Sequence, residues 1–449
     1  MEEKKPAEGH ELIGRVIRTI EERGLAGPES PVLLMVSGGS DSTALAYLAT
    51  ELSASGIIGP LGMLHVNHQL RDEDSDRDQA FVQNLAEALD IPLFICAIDV
   101  EAEVRRTGDN VEAVARRERY LAANEALESL CRHTASPLAD GRIFTAHTQD
   151  DRVESFYMRS IVGTGPGGFR SMRYTNGPVV RPLLDVCRKD LRAYIGEREH
   201  AGKAVVCDPK GELWCEDATN SHTDRFRAFV RHEIVPRAQE RNPQLLETLC
   251  RVMNLIADED DMLDRQADQM EATKVDWLAK EGPAGIAYEA GCVLLPGFAQ
   301  LPLPMQRRVC TGVLQKMLGP DARIETSSVT EVLSGFKEGR PLGGYSGNIQ
   351  GNLAISANKQ GLRIEPMEAY RARRKKSAVS PGPAKTDGPA GRAGSGDSLD
   401  PAIAAEPAYP SDPADPAIAA EAAGRAGSGD PAESLIVDPP TASVQASKD

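Results

Sequence analysis

Short apolar runs alternate with amphipathic segments over the first half of the chain. Continuous apolar runs that end in glycine or polar residues predict buried strands of a parallel sheet. The segments between them space apolar residues three and four apart, which predicts helices. Strands that alternate with helices indicate an α/β fold, a Rossmann-like parallel sheet with helices on both faces. The predicted strands are 31–39, 62–68, 91–100 and 141–147, and the predicted helices are 11–23, 42–52, 81–89 and 110–130.

The spacing becomes mostly helical after residue 222. The helix predicted over 242–270 has an apolar stripe along one side. A short hairpin is predicted over 347–366, where two apolar runs flank polar and glycine residues. The other helices are predicted at 223–241, 303–318 and 327–336.

Alanine, proline, glycine, serine and aspartate dominate the end of the chain. Residues 400–406 recur as 415–421, which is typical of drifting low-complexity sequence. So few large apolar side chains cannot offset the entropy of ordering, so this tail should be disordered. We expect an N-terminal helix (1–30), an α/β domain (31–222), a mostly helical domain (223–367) and a disordered tail (368–449).

The charge and cysteine content narrow the class of protein. The net charge is −16, so any nucleic-acid contact must use a local basic patch. The eight cysteines form no CxxC pair, which argues against a zinc ribbon, a disulfide framework or an iron–sulfur motif. The N-terminus lacks the apolar core of a signal peptide, and no apolar run is long enough to cross a bilayer. We therefore expect a cytoplasmic protein without membrane contact.

The strongest chemical motif is Ser37-Gly38-Gly39-Ser40-Asp41-Ser42, between the first strand and the following helix. Glycines let a backbone approach a ligand closely, and a helix N-terminus favours an anion. Asp41 would repel a phosphate unless a cation lay between them, which indicates Mg²⁺. The loop lacks the lysine of GxxxxGK[ST] and resembles the pyrophosphate loop of N-type ATP pyrophosphatases. A plain serine- and glycine-rich turn is the alternative.

His65-Val66-Asn67-His68 ends the second strand, where open α/β sheets bind ligands. Side chains here commonly surround the adenosine in the enzyme class that the loop resembles. An HxxH metal pair is a rival, although the two histidines of a strand would point to opposite faces. A polar strand end without a ligand is the third possibility.

A third motif, TAHTQDDRVES, follows the fourth strand and contains His147, Asp150, Asp151 and Glu154. Asp151 and Glu154 are three residues apart and would share a helix face. Such acids could bind an ammonium group, help to deprotonate it, or hold Mg²⁺. They could also simply stabilise the start of a helix.

Arginines cluster in two places. A solvated charged face is one explanation, and contact with phosphate or with a substrate carboxylate is the other. The clusters are Arg225, Arg227, Arg231, Arg237 and Arg241, and, in VARRERY, Arg116, Arg117 and Arg119.

Taken together, these segments resemble the tRNA(Ile)-lysidine synthetase family of PP-loop enzymes over roughly residues 30–245. The motifs that carry the resemblance are VSGGSDS, HVNHQLR, NVEAVARRERY, TAHTQDDRVES, GTGPGGF, RPLL and EDATNSHTDRFRAFVRHEIVP. The resemblance implies a carbon–nitrogen ligase that uses ATP and Mg²⁺. The C2 carbonyl oxygen of the wobble cytidine of CAU-anticodon tRNA(Ile) would be adenylated, and the ε-amine of L-lysine would then replace AMP.

The resemblance also implies roles for individual residues. The loop would hold pyrophosphate, with Mg²⁺ on Asp41, and Asp151 and Glu154 would handle the lysine amine. Arg227 would be catalytic, and with Arg231 would face the tRNA or the adenylate. Adenosine would lie near His65 and Asn67, and the other substrate contacts would be Arg116, Arg117, His147 and Asp150.

Three positions depart from the family pattern, namely Gln69, Val162 and Ala228. They bear on local tRNA contacts more than on ATP use. The nearest rival is a tRNA thiolase, which typically carries a CxxC pair that this chain lacks. A non-catalytic nucleotide- or tRNA-binding protein is the other rival, and the intact acidic set argues against it. A homodimer is a further possibility, since dimers are common among such enzymes.

Overall fold

The computed structural model describes residues 8–67, 72–215, 226–279, 286–319, 322–379 and 435–437. It divides into two compact units, with the boundary between Asp260 and Asp261 and with the strand at 435–437 in the first unit. The helices are α1 (Glu8–Glu22), α2 (Ser40–Ala54), α3 (Asp72–Leu89), α4 (Val100–Thr107), α5 (Val111–His133), α6 (Gln149–Val162), α7 (Arg188–His200), α8 (Phe226–Phe229), α9 (Val235–Arg241), α10 (Leu245–Lys274), α11 (Leu303–Leu318), α12 (Thr326–Ser334) and α13 (Met367–Val379).

The strands are short and lie in three sheets. They are β1 (Val32–Met35), β2 (Leu61–Asn67), β3 (Leu93–Ala97), β4 (Arg142–Phe144), β5 (Thr175–Asn176), β6 (Val179–Val180), β7 (Val275–Trp277), β8 (Cys292–Leu294), β9 (Phe336–Lys337), β10 (Arg340–Pro341), β11 (Ser346–Ile349), β12 (Leu353–Asn358), β13 (Gly361–Pro366) and β14 (Leu435–Val437).

A seven-stranded sheet forms the centre of the first unit, in the order β14-β3-β2-β1-β4-β6-β5. The five inner strands are parallel; four of them are the predicted strands, whereas β6 was not predicted. β5 and β14 join the edges in antiparallel orientation. The chain passes from β1 to β2 on one side, whereas β4 lies on the other side of β1. Because ligand crevices form where strand order reverses in this way, the loops after β1 and β4 meet at a candidate site.

Apolar side chains of the inner strands alternate between the two faces of this sheet. Val32 and Leu34 of β1 pack in one core with the buried Tyr47 of α2. Leu33, between them, packs in a second core with Leu127 of α5. Burial on both faces explains why the predicted strands are continuous apolar runs.

The second unit combines helices with an antiparallel sheet of five strands, in the order β11-β12-β13-β8-β7. Phe298, Val313 of α11, Ile355 and Ile364 are fully buried in its core. The expected helical region is confirmed, and β12 and β13 form the hairpin predicted over 347–366. The three-residue strands β7 and β8 are too short to show an alternating pattern and were not predicted.

Two local predictions need comment. The strand predicted over 91–100 ends at Ala97, because Asp99 accepts a hydrogen bond from the backbone N–H of Ala102 at 2.8 Å and starts α4. Within 368–449, α13 continues to Val379 and β14 pairs with β3. The rest of that range lies outside the described residues, so its disorder stays a prediction.

Among the helices described, none is long and apolar enough to cross a membrane.

We expect Phe144→Ala, in the middle of the sheet, to lower the free energy of unfolding by about 3–5 kcal/mol. Phe144 is fully buried, so its removal loses apolar contacts and leaves a cavity. Leu138→Ala, at a side chain that is 50% exposed, should change it by less than about 0.5 kcal/mol. Chemical denaturation of both variants measures this, and equal losses would contradict the assignment of β4 to the core.

Candidate active site

The turn between β1 and α2 contains the serine- and glycine-rich loop. Gly38 has a φ of 90°, a left-handed conformation that glycine adopts without steric cost. Its carbonyl accepts a hydrogen bond of 2.9 Å from the N–H of Cys215, which fixes the loop. Gly39 precedes α2 and has no side chain to cap it. The free N–H groups of the first turn and the positive end of the helix dipole are therefore left for an anion.

Hydroxyl groups hold this loop in shape. The Oγ atoms of Ser37 and Ser42 are 3.2 Å apart, and Ser42 Oγ donates to the carbonyl of Gly39 at 3.1 Å. Ser40 Oγ donates to Asp41 Oδ1 at 3.1 Å. The second carboxylate oxygen of Asp41 is left to face the rest of the site.

The end of β2 lies next to the loop. His65 Nδ1 donates to the carbonyl of Val36 at 2.9 Å, and burial lowers the pKa of this histidine. Asn67 Nδ2 donates to Gln79 Oε1 at 3.1 Å. His68, the second member of the possible metal pair, lies outside the described residues. Among the residues that are described, no group of three or more His, Cys, Asp and Glu side chains could hold a metal.

Asp151 uses its two carboxylate oxygens for different purposes. Oδ2 accepts hydrogen bonds from the N–H and the hydroxyl of Thr148, at 2.8 and 3.0 Å. Thr148 Oγ1 accepts in return from the N–H of Asp151, which completes a capping box at the start of α6. Oδ1 is free of the cap and faces the arginines described next. The capping role of Asp151 is therefore confirmed, and it leaves one oxygen available for the predicted site role.

Arg227 and Arg231 both contact the acid pair Asp151 and Glu154. Arg227 donates to Glu154 Oε2 at 2.8 Å and to Asp151 Oδ1 at 3.0 Å. Arg231 donates to both oxygens of Glu154, at 2.6 and 3.0 Å. The Glu154 side chain is only 3% exposed, so its charge requires such partners. Further along the same run, Arg237 pairs with Glu233 at the surface, as expected of a solvated face.

The predicted helix over 223–241 is not a regular α-helix. A π-helical turn, Val230–Ile234, separates α8 from α9. Pro236 follows, and its ring and missing N–H disturb the hydrogen-bond ladder of the preceding turn. Such turns are frequent at functional sites. Here the turn contains Arg231, one of the two arginines on the acid pair.

Arg188, which the sequence analysis did not single out, connects the loop to the acid pair. Its Nε donates to Asp41 Oδ2 at 2.8 Å, and one Nη donates to Asp151 Oδ1 at 3.1 Å. Its other Nη lies 3.8 Å from Glu154 Oε1. Its backbone N–H also donates to Asp150 Oδ2 at 2.7 Å, which fixes the start of α7.

These contacts determine the protonation of the acidic residues. Burial by itself would raise the pKa of Asp151, but Arg227 and Arg188 outweigh it and hold that pKa well below its usual range. Burial raises the pKa of Asp150, and the hydrogen bond from the N–H of Arg188 opposes this only in part. Asp151 is thus a stable anion that is suited to bind a cation, and it is itself a weak base.

His147 and two arginines of α5 make contacts of their own. Thr145 Oγ1 is 2.9 Å from His147 Nδ1, and burial, with the charge of Arg181, lowers the pKa of His147 to about 3. Arg116 stacks on Tyr120 at 5.1 Å and its charge also acts on His147. Arg117 instead pairs locally, with Asp109 and Glu118 as its acidic partners.

A family model described as PP-loop domain matches residues 14–238, half of the chain. The chain belongs to the PP-loop family. The match covers the loop, the acid pair, Arg188 and Arg231, and it confirms the ATP-binding class that the loop motif predicts.

Two curated relatives are named tRNA(Ile)-lysidine synthase. The tRNA(Ile)-lysidine synthase of Thermus thermophilus is 32% identical over 340 residues, which are 76% of this chain and 59% of that protein. The tRNA(Ile)-lysidine synthase of Dehalococcoides mccartyi is 32% identical over 59% of this chain and 54% of its own length. The chain therefore spans somewhat more than half the length of these curated relatives.

Among solved structures, the U34-tRNA thiolase NcsA from Methanococcus maripaludis matches with a TM-score of 0.41 and 16% identity. The match covers 56% of this chain and 79% of that one.

The PP-loop fold brings together most of the residues singled out from the sequence. Asp41, Asp151 and Glu154 meet through Arg188, and Arg227 and Arg231 close the acid pair, as described above. Arg117 is not brought into this cluster by the contacts described. Two of the departing positions are surface-accessible, Val162 at the end of α6 and Ala228 in α8, whereas Gln69 and Arg225 lie outside the described residues. The individual roles stay predictions.

The half-buried His147 should make the first unit sensitive to acid. Its pKa falls from an ordinary 6.5 to about 3, so the folded state binds fewer protons than the unfolded state between these values. The stabilisation is complete above about pH 6.5 and is lost as the pH falls towards the folded pKa. The free energy of unfolding should therefore decline more steeply in the wild type than in His147→Gln, by up to about 1.4 kcal/mol per pH unit.

Chemical denaturation between pH 7 and 4 measures this difference. His133→Gln, which removes an exposed histidine at the end of α5, is the matched control and should retain the wild-type slope. Equal slopes for the wild type and His147→Gln would show that His147 is not held neutral in the folded state.

Proposed function

We propose that this PP-loop protein makes lysidine in tRNA. In the first step the C2 carbonyl oxygen of the wobble cytidine of CAU-anticodon tRNA(Ile) attacks the α-phosphate of ATP, and pyrophosphate leaves. In the second step the ε-amine of L-lysine attacks C2 and AMP leaves. The names of the relatives support this choice of substrates.

One observation carries the proposal. Arg188 lies within hydrogen-bond distance of both the loop carboxylate Asp41 and the acid-pair carboxylate Asp151, at 2.8 and 3.1 Å. An anion held by the loop and an ammonium group held by the acid pair would therefore meet at one place. Adenylation followed by amine attack requires that arrangement, because both steps involve the same base.

The loop would bind the ATP. Its free N–H groups and the hydroxyls of Ser37, Ser40 and Ser42 would hold the leaving pyrophosphate, with Gly38 and Gly39 allowing close approach. Asp41 offers one carboxylate beside the helix N-terminus, which fits Mg²⁺ held mainly by phosphate oxygens. The ion would neutralise charge on the phosphates. His65 and Asn67, buried at the end of β2, would contact the adenosine.

The acid pair would bind the lysine. Asp151 has a pKa far below neutrality, so it would hold and orient the ammonium group better than it would remove a proton. His147, with a pKa of about 3, is uncharged near pH 7 and would serve as a hydrogen-bonding group. Asp150 and Arg116 would complete the pocket around the substrate.

The remaining cations would face RNA. The chain has a net charge of −16, so local arginines such as Arg231, at the π-helical turn, would supply the phosphate contacts. Arg227 would stabilise charge on the adenylate, and Arg117 would contact the tRNA from the surface of α5. The protein would act in the cytoplasm, and a homodimer is compatible with this scheme.

ATP–pyrophosphate exchange tests the first step. The purified protein with Mg²⁺ should catalyse exchange that depends on CAU-anticodon tRNA(Ile), and labelled lysine added afterwards should stay on the RNA. Asp41→Asn should lower the exchange rate by at least about a hundredfold, because the phosphates lose their bridging cation. Exchange without lysine retention would indicate another nucleophile, and no exchange at all would favour a binding protein.

Glu154→Gln should separate the two steps. The loop is unchanged, so tRNA-dependent exchange should remain within a few-fold of the wild type. Lysine transfer should fall by about a hundredfold, because the ammonium group is no longer held in place. Single-turnover transfer measures this, with Glu128→Gln, an exposed glutamate of α5, as the control. Equal losses in both steps would argue against a role confined to the amine.

A further inference from the structure

Arg188 is a residue of the site to which the proposed chemistry assigns no role of its own. Its side chain is 20% exposed and joins carboxylates from two helices, Asp41 at the start of α2 and Asp151 and Glu154 in α6. The backbone of Arg188 is itself fixed, since its N–H is bound by Asp150. The guanidinium can therefore move by rotating its side chain without moving α7.

The contact with Asp41 conflicts with nucleotide binding. Arg188 Nε lies 2.8 Å from Asp41 Oδ2, the oxygen that is not engaged by Ser40. A divalent cation at this carboxylate and a guanidinium at the same oxygen would repel each other. The polyphosphate of ATP offers the guanidinium a new anionic partner beside the old one, and arginine binds phosphate in a bidentate manner.

The second contact connects this exchange to the acid pair. Asp151 Oδ1 accepts from Arg188 at 3.1 Å and from Arg227 at 3.0 Å. If Arg188 turns towards phosphate, Asp151 loses one of these two cations and its oxygen becomes available to another donor. An ammonium group is such a donor, with the same charge as the guanidinium that leaves.

We propose that Arg188 is a positioning residue that couples the two substrate sites: it occupies Asp41 and Asp151 in the free enzyme, and moves to phosphate when ATP binds, so that lysine is bound mainly by the ATP-loaded form. This inference rests on the function proposed above. Since coupling between two ligands is reciprocal, lysine must raise the affinity for nucleotide by the same factor.

Equilibrium binding tests the coupling without any turnover. Labelled L-lysine is titrated by equilibrium dialysis in the presence and absence of α,β-methylene-ATP and Mg²⁺, and the nucleotide is titrated with and without lysine. In the wild type the nucleotide should tighten lysine binding by about 5- to 150-fold. In Arg188→Ala the factor should fall to about one, chiefly because lysine then binds more tightly without nucleotide.

Two further variants make the result specific. Lys189→Ala removes a positive charge from the next residue of α7, and should retain the wild-type factor. Arg188→Lys keeps the charge without the planar fork and should restore part of the coupling. If Arg188→Ala does not fold, as judged by its melting curve, Arg188→Lys is used instead. A smaller effect of nucleotide on lysine binding than in the wild type then supports the coupling, and an equal effect contradicts it.

Each outcome has one meaning. The coupling through Arg188 would be overturned by either of two results: the nucleotide tightens lysine binding as much in Arg188→Ala as in the wild type, or both ligands bind to the wild type without affecting each other. Either result would leave the proposed function intact. No binding of lysine to any form, with CAU-anticodon tRNA(Ile) also present, would instead remove the proposed function.

Discussion

The neutralisation of buried carboxylates by arginines is the constraint on which this site depends. Glu154 is almost fully buried and Asp151 nearly so, and the burial of their charges would be costly without cationic partners. Three arginines from two parts of the chain provide them. Removing one partner of a buried pair costs about 3–5 kcal/mol, so each element that carries a charge is held in place by the others.

Topology explains how partners so distant in sequence meet. The reversal of strand order at β1 places the loop that follows it beside the start of α6. The start of α7 reaches the same edge after β6, and the π-helical turn, later in the chain, brings Arg231 to it. The site is therefore assembled by the carboxyl edge of the sheet and not by one continuous motif.

Local features of this assembly could be predicted from the sequence. The loop, the parallel strands and the helical spacing of Asp151 and Glu154 follow from patterns a few residues long. The pairing of Arg227 with these acids could not be predicted, because it joins residues more than 70 positions apart and depends on strand order. Arg188 was missed because a single arginine in a charged segment carries no spacing signal. Arg117 shows the converse. It belongs to a prominent arginine cluster in the sequence, but its side chain forms ion pairs with nearby acidic residues, one of them on its own helix.

The capping box at the start of α6 has a consequence for how this position can vary. One oxygen of Asp151 caps the N-terminus of α6 and the other accepts hydrogen bonds from arginines, so a single side chain satisfies a folding requirement and a chemical one. Glutamate would keep the charge but displace the carboxylate by one methylene, and serine would keep a cap but lose the charge. Natural or engineered change at this position must therefore satisfy both demands at once, whereas Glu154, one turn later, has no part in the cap and is constrained by its arginine partners alone.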